Sequence, residues 1–228
     1  MTRIALIHAL AHSVAPINHE LQHAWPEAVR MNLLDDSLSA DLARSEQGLD
    51  AAMHQRFETL AAYAEGTGAQ AILFTCSAFG PCIDAVATKR PHMPVLKPNE
   101  AMVAEAVALG GRIGLIASFA PTLASMPPEF PAGTDLRTQL AGGALAALNA
   151  GDTAGHDAQV VLAAQALARQ GCNVIALAQF SMARAQAAVQ QAVDLPVLTT
   201  PGSAVRALRQ RLDAVGSVAK GEGNQPLQ

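Results

Sequence analysis

Three stretches of this chain occur twice, in the same order and at nearly constant spacing. Arg3-Ile-Ala-Leu-Ile-His8 resembles Arg112-Ile-Gly-Leu-Ile-Ala117, an offset of 109 residues (3 to 112). Gly68-Ala-Gln-Ala-Ile-Leu-Phe-Thr-Cys76 resembles Gly171-Cys-Asn-Val-Ile-Ala-Leu-Ala-Gln179, an offset of 103 (76 to 179). Met93-Pro-Val-Leu96 resembles Leu195-Pro-Val-Leu198, an offset of 102 (94 to 196). The competing reading is that buried strands of any parallel sheet look alike. The shared order and offset favour an internal duplication.

Short apolar runs alternate with longer helical patterns. Ile4–His8, Ala71–Thr75, Val95–Lys97, Ile113–Ala117, Val174–Ala178 and Val197–Thr199 are predicted strands, with a further short one near Val29–Leu33. Gly48–Thr67, Ala101–Leu109, Asp157–Arg169 and Ala183–Val193 are predicted helices. Strands apolar on both faces and separated by helices make a parallel sheet covered on both sides. The expected fold class is α/β: two pseudo-symmetric parallel-sheet domains of Rossmann or flavodoxin type, with the active site in the cleft between them. Residues 1–98 plus 200–216 are the expected first domain and 99–199 the second. Residues 217–228 are expected to be a flexible tail. Pro201 to about Val215 is expected to be a helix packing back onto the first half. The Pro-rich segment Pro121–Gly133 reads as a loop.

Half of the 228 residues are hydrophobic and only 15% are charged, so a chain of this length buries a core without disulfide or metal staples. The 15 Lys and Arg are scattered through a chain of net charge −4, which argues against nucleic-acid partners. No apolar run has the length of a membrane span, and Ile4–Ile7 is too short for a signal-peptide core. A cytoplasmic protein without a membrane partner is expected. Three cysteines, an odd number, fit free thiols. Ala-rich helices are consistent with a homodimer. Neither Gly110-Gly111 nor Gly142-Gly143 forms a phosphate-binding pattern, which disfavours nucleotides. His8 and His12, like His19 and His23, are four residues apart, a spacing that can bind metal on a helix. His8 and His12 fall in a strand end and a loop, and neither a metal nor a cofactor is expected.

Ligands of open parallel sheets bind at the carboxyl ends of the strands. Here those ends are His8, Thr75-Cys76-Ser77, Lys97-Pro98-Asn99-Glu100, Ala117-Ser118 with Thr122 beyond, and Gln179-Phe180-Ser181. They are more polar than the strands that precede them. Helices open after Cys76 and after Gln179, and free N–H donors at helix starts favour anions, so a small carboxylate is the expected partner. Cys76 has two readings. At a strand-to-helix turn its thiol pKa would be lowered, as a functional cysteine requires; it would otherwise be a buried structural residue. Cys82 and Cys172 read as core. His8 is a candidate acid, base or hydrogen-bonding group. Phe79 and Phe180 flank the two strand ends, either as pocket walls or as core.

Two duplicated α/β halves, with Phe74-Thr-Cys-Ser-Ala-Phe-Gly80 ending a strand of the first, resemble the aspartate/glutamate/hydantoin racemase superfamily. That group includes arylmalonate decarboxylase and maleate isomerase. Ile4-Ala-Leu-Ile-His8, Glu100-Ala-Met, Arg112-Ile-Gly-Leu-Ile-Ala-Ser118 with Thr122, and Leu177-Ala-Gln-Phe-Ser-Met-Ala183 carry the resemblance over nearly the whole chain. It implies cofactor-independent proton transfer between two cysteines that face each other across the substrate. The first corresponds to Cys76, whereas the second position holds Gln179, which has no accessible titration. The chain resembles a subgroup with Gln in place of the second catalytic Cys.

The implied activity is an isomerase or racemase-like reaction on a small carboxylic or amino acid through a single cysteine. The alternatives are a decarboxylase or other lyase, and a non-catalytic carboxylate-binding protein. Cys76, Gln179 and His8 are the expected catalytic positions. Ser77, Ala78, Asn99, Ser118, Thr122, Phe180 and Ser181 are the expected substrate-binding positions.

Overall fold

The protein is described by a computed structural model that covers residues 2–221. Two four-stranded sheets repeat one topology. β1 (Arg3–His8), β2 (Val29–Leu34), β3 (Ala71–Phe74) and β4 (Val95–Leu96) form the first, in the order β2-β1-β3-β4. β5 (Ile113–Ala117), β6 (Leu136–Leu140), β7 (Val174–Leu177) and β8 (Val197–Thr199) form the second, in the order β6-β5-β7-β8. All pairings are parallel. The α/β class and the internal duplication read from the sequence are both present.

Helices cover both faces of each sheet. They are α1 (Val14–Ala24), α2 (Ser37–Arg44), α3 (Ala51–Gly66), α4 (Gly80–Lys89), α5 (Glu100–Leu109), α6 (Ala120–Ser125), α7 (Ala144–Asn149), α8 (Thr153–Arg169), α9 (Gln186–Ala192) and α10 (Thr200–Gly221). Side-chain alternation divides β1 between two cores. Ala5 and Ile7 face a cluster with Leu38, Phe57 and Ile83 from α2, α3 and α4. Ile4 and Leu6 face Ile17 and Leu21 of α1 together with Ala204, Val205 and Leu208 of α10. The final helix therefore packs back onto the first half, as expected. It runs to Gly221, five residues into the segment expected as a tail; the remainder lies outside the described residues.

The two halves also repeat their edge brackets. Gly68 and Gly171 follow α3 and α8 with φ of +84° and +79°, the left-handed conformation that ends a helix at little cost only in glycine. The Arg3 guanidinium donates to the Thr67 carbonyl, and its backbone N–H donates to Gln70 Oε1 at 3.3 Å. The Arg112 guanidinium donates to the Gln170 carbonyl at 2.7 Å, and its N–H donates to Asn173 Oδ1 at 2.7 Å.

Three expectations need correction. Pro121–Gly133 is not a loop: it contains most of α6 and a 3-10 turn at Pro127–Glu129. Prolines suit the first turn of a helix, where their missing N–H would have no partner. The polar edge strand β6 lacks an apolar run and gave no sequence signal. The predicted helix at Ala183–Val193 is a 3-10 turn at Phe180–Ala185 followed by α9.

His8 ties the strand ends together. Its ring is fully buried, with Nδ1 2.9 Å from Thr75 Oγ1 and Nε2 3.0 Å from Asn32 Oδ1. Asn18 Nδ2 donates to the same Asn32 oxygen at 2.8 Å. That oxygen can only accept, so Nε2 carries the ring proton. Nδ1 is then bare and accepts the Thr75 hydroxyl proton. Burial pushes the His8 pKa below its ordinary value, which keeps the ring neutral, although the Asn32 hydrogen bond opposes the shift.

Two tests follow from these contacts. Gly111 has φ +74°, and an added Cβ would collide with Asn173 Oδ1, the acceptor for the Arg112 N–H. Gly111→Ala is expected to cost roughly 2–4 kcal/mol in urea titration, combining backbone strain with a displaced hydrogen bond. Gly133→Ala also has positive φ but meets open space, and should cost about 1–2 kcal/mol. For His8 the folded pKa lies below the unfolded one. Its contribution to stability is complete above its ordinary value of 6.5 and declines as pH falls toward the folded value. Wild-type unfolding free energy should therefore fall on acidification from about pH 6.5 more steeply than that of His8→Gln; equal slopes would exclude this role for the ring.

Candidate active site

Parallel pairing brings the carboxyl ends of both sheets to one cleft, which encloses a cavity of about 540 Å³. Cys76 and Gln179 both line it, one at each strand end. Ser77, Ala78, Asn99, Thr122, Phe180 and Ser181 line it as well. Two expected positions do not. His8 lies behind Thr75, held by Asn32 and sealed from solvent. Ser118 lies behind Gln179.

Ser118 fixes the direction of the Gln179 amide. Its backbone N–H and its hydroxyl donate to Gln179 Oε1, at 2.6 and 2.9 Å. The backbone N–H can only donate and so requires an acceptor, which identifies the oxygen end of the amide; the hydroxyl then donates to the same oxygen. The Nε2 end keeps two N–H donors without a protein acceptor among the described residues. Gln179 is thus an oriented donor in the cavity. Thr75 is the converse case. Its hydroxyl proton is committed to His8, so toward a ligand it can only accept.

The Cys76 thiol differs from the low-pKa group expected at a helix start. Burial pushes its pKa up, and the Ala78 amide and the Ser39 hydroxyl pull it only partway back. Desolvation of a thiolate outweighs the dipole of one short turn. The unliganded protein holds a neutral thiol near pH 7. Cys82, in the first turn of α4, is fully buried in the first core, and Cys172 is buried just ahead of β7. Phe79 is core, its ring tilted at 36° against that of Phe57 with centroids 4.9 Å apart. Phe180 contributes both to a core cluster and to the cavity wall.

The duplication extends to lining residues that motif reading alone missed. At the offset of 109, Phe119 corresponds to Leu10 and Thr122 to Ser13; all four line the cavity. At an offset of 106 (34 to 140), set by the ends of β2 and β6, Leu145 corresponds to Ser39 and Asn149 to Ala43, and these too line it. His12 reaches the mouth of the cleft, with Nε2 2.9 Å from Asn149 Oδ1 across the two halves. Carrying the recognised Thr122 to its duplicate would have found Ser13; the other positions have no duplicate among the recognised residues.

Two other features lie outside this cleft. A depression of about 510 Å³ lies at the amino ends of the second sheet, away from the strand ends that bind ligands in such folds. Its polar groups are already engaged: Arg112 pairs with Asp135 at 2.8 Å and with Asn173. On α1, His19-Glu20-Leu21-Gln22-His23 matches the H-E-x-x-H metal pattern, which the spacing argument passed over. The two rings stack at 6.2 Å on an exposed face. Among the described residues no group of three or more His, Cys, Asp or Glu is placed to hold a metal ion. No helix among them is long and apolar enough to cross a membrane.

Comparison with known proteins agrees with this architecture. Glutamate racemase isoform RacE1 from Bacillus anthracis superposes with a TM-score of 0.72 at 13% identity, covering 94% of this chain and 83% of that one. Allantoin racemase from Klebsiella pneumoniae gives 0.68 at 18% identity, covering 95% and 89%. A mutant of arylmalonate decarboxylase in a sulfate-associated form gives 0.63 at 20% identity, covering 91% and 92%. At these identities the likeness is one of fold. No curated protein sequence matches the chain significantly. The sequence profile described as Asp/Glu/Hydantoin racemase matches residues 11–208, and the chain belongs to that family.

Proposed function

We propose that the chain is a cofactor-independent, isomerase-type enzyme that moves a proton at the α-carbon of a small carboxylic acid, with Cys76 as its single acid–base group. One observation carries this reading: of the two matching strand ends in the cavity, one bears a thiol and the other an amide whose oxygen is already taken by Ser118. A primary amide neither accepts nor delivers a proton near neutral pH. Two-thiol racemisation is therefore unavailable to this chain.

The remaining groups suit a developing enediolate. Gln179 Nε2 and the hydroxyls of Ser77, Thr122 and Ser181 are donors at the cavity wall. Fixed donors of this kind contribute much of the catalysis wherever charge develops on carboxylate oxygens. In the proton-removing direction the Cys76 thiol first loses its proton to water, and the thiolate then takes the α-proton while the electron pair moves onto the carboxylate as an enediolate. In the return direction the thiol gives its proton to that carbon, leaving a thiolate; the product is the isomer when the enediolate has turned its other face to the sulfur, and α-exchange with retention when it has not. A neutral, desolvated thiol suits the second step especially. That same feature favours a second reading, decarboxylation. From an acid with two carboxylates on one carbon, loss of carbon dioxide from one leaves the enediolate of the other; Cys76 gives its proton to that carbon, and the thiolate left behind is reprotonated by water. His8 has no proton step in either scheme, because it positions Thr75, the residue before Cys76.

Alkylation of Cys76 by iodoacetamide, followed by site-resolved mass spectrometry, is expected to titrate above the ordinary thiol value of about 8.5. Cys76→Ala is expected to lower α-proton exchange in D₂O at least about 100-fold while changing acid affinity less than about threefold. Gln179→Ala is expected to weaken acid binding about tenfold, the loss of one hydrogen bond to a charged group. Exchange that survives Cys76→Ala would overturn the single-cysteine reading. Carbon dioxide release without exchange of the starting acid would select decarboxylation.

A further inference from the structure

We infer that the acid taken by this cleft bears an uncharged, apolar substituent and neither an ammonium group nor a second carboxylate remote from the first. The inference rests on the proposed reading of the cleft as a carboxylate site and adds the substrate class. Among the described residues that line the cavity there is no Lys, Arg, Asp or Glu. Its titratable side chains are Cys76 and His12. His12 lies at the exposed mouth and is engaged by Asn149.

A zwitterionic amino acid would bring an ammonium group into this wall with no carboxylate to receive it. Burying such a charge unpaired is strongly unfavourable. A side-chain carboxylate would meet the same penalty, since no cation lies opposite. The reacting carboxylate itself is provided for: Gln179 Nε2 and the hydroxyls near the two strand ends are neutral donors that suit an anion.

Beyond those donors the wall is apolar. Leu10, Leu42, Phe119, Leu145 and Phe180 come from five different segments and line the same space. A cavity of about 540 Å³ is far larger than a carboxylate and an α-carbon require, so most of it is left for a substituent. Apolar contact there favours binding in proportion to the area removed from water. Discrimination arises from both sides, through attraction for an apolar group and an unpaired charge for its competitor.

The test uses matched acids that differ by one charge, with binding measured by calorimetry on the intact protein. Phenylacetate is compared with phenylglycine, 4-methylpentanoate with leucine, and hexanoate with glutarate. The uncharged-substituent member of each pair is expected to bind at least about thirtyfold more tightly. Leu145→Lys is expected to narrow the hexanoate–glutarate gap at least about tenfold by supplying a cation. Equal or tighter binding of the amino acids or of glutarate would overturn the inference, as would failure of every acid to bind. Outcomes for the proposed function are separable. Cys76-dependent α-exchange of glutamate would keep the cysteine chemistry and sink the substrate class. Tight binding of phenylacetate with exchange indifferent to Cys76→Ala would do the reverse.

Discussion

Parallel strand pairing is the constraint on which the cleft depends. Because Ile4 to Ile7 pair with Ala71 to Phe74 in parallel register, and Ile113 to Ile116 with Val174 to Leu177 likewise, each sheet sends its carboxyl ends to one edge. Thr75 and Ala178 each extend the ladder by one hydrogen bond, to the Ile7 and Ile116 carbonyls, and after Cys76 and Gln179 the chain enters 3-10 turns at Ser77–Phe79 and Phe180–Ala185. Cys76 and Gln179 are therefore set by backbone register rather than by loop conformation. A single-residue slip of β3 or β7 would turn every side chain to the opposite face and empty the cleft of both groups.

Burial accounts for both unusual protonation states near the cleft, and it acts on them for different ends. For His8 desolvation disfavours the cation, leaving a neutral ring that can accept the Thr75 proton. For Cys76 desolvation disfavours the thiolate, leaving a neutral thiol. Both shifts follow from one rule, that a low-dielectric surrounding penalises the charged form. The helix-start argument for a depressed thiol pKa is sound in isolation. It is outweighed here because the turn after Cys76 is short and the sulfur is desolvated.

The parts of the fold legible in the sequence are those governed by local pattern. Continuous apolar runs such as Ile4–Ile7 and Val174–Leu177 announce strands buried on both faces, and the repeated motifs announce the common topology. β6 was not legible because Leu136-Arg-Thr-Gln-Leu140 is an edge strand whose polar residues face solvent. α6 was hidden by prolines that read as breakers but act as helix starters. At the site, Cys76, Gln179, Thr122 and Ser181 were visible as polar residues at strand ends. The true place of His8 and Ser118 was not, since hydrogen-bond partners such as Asn32 and Gln179 lie 24 and 61 residues away in sequence.

Gln179, at the strand end that matches Cys76, does more than lack a titrating group. An unanchored glutamine could present either end of its amide to a ligand, and its oxygen would repel a carboxylate. The Ser118 backbone N–H removes that ambiguity, because it can be satisfied only by the oxygen, and the hydroxyl donates to the same atom. The amide then contributes dipole and N–H donors without net charge, which matches a wall otherwise free of Lys, Arg, Asp and Glu. A charged residue at this position would have to be paired across the cleft, and no partner stands there. Under the proposed reaction, the asymmetry between Cys76 and Gln179 divides the labour that a symmetric pair of thiols would share: one half would carry the proton, and the other would hold the charge that the proton leaves behind.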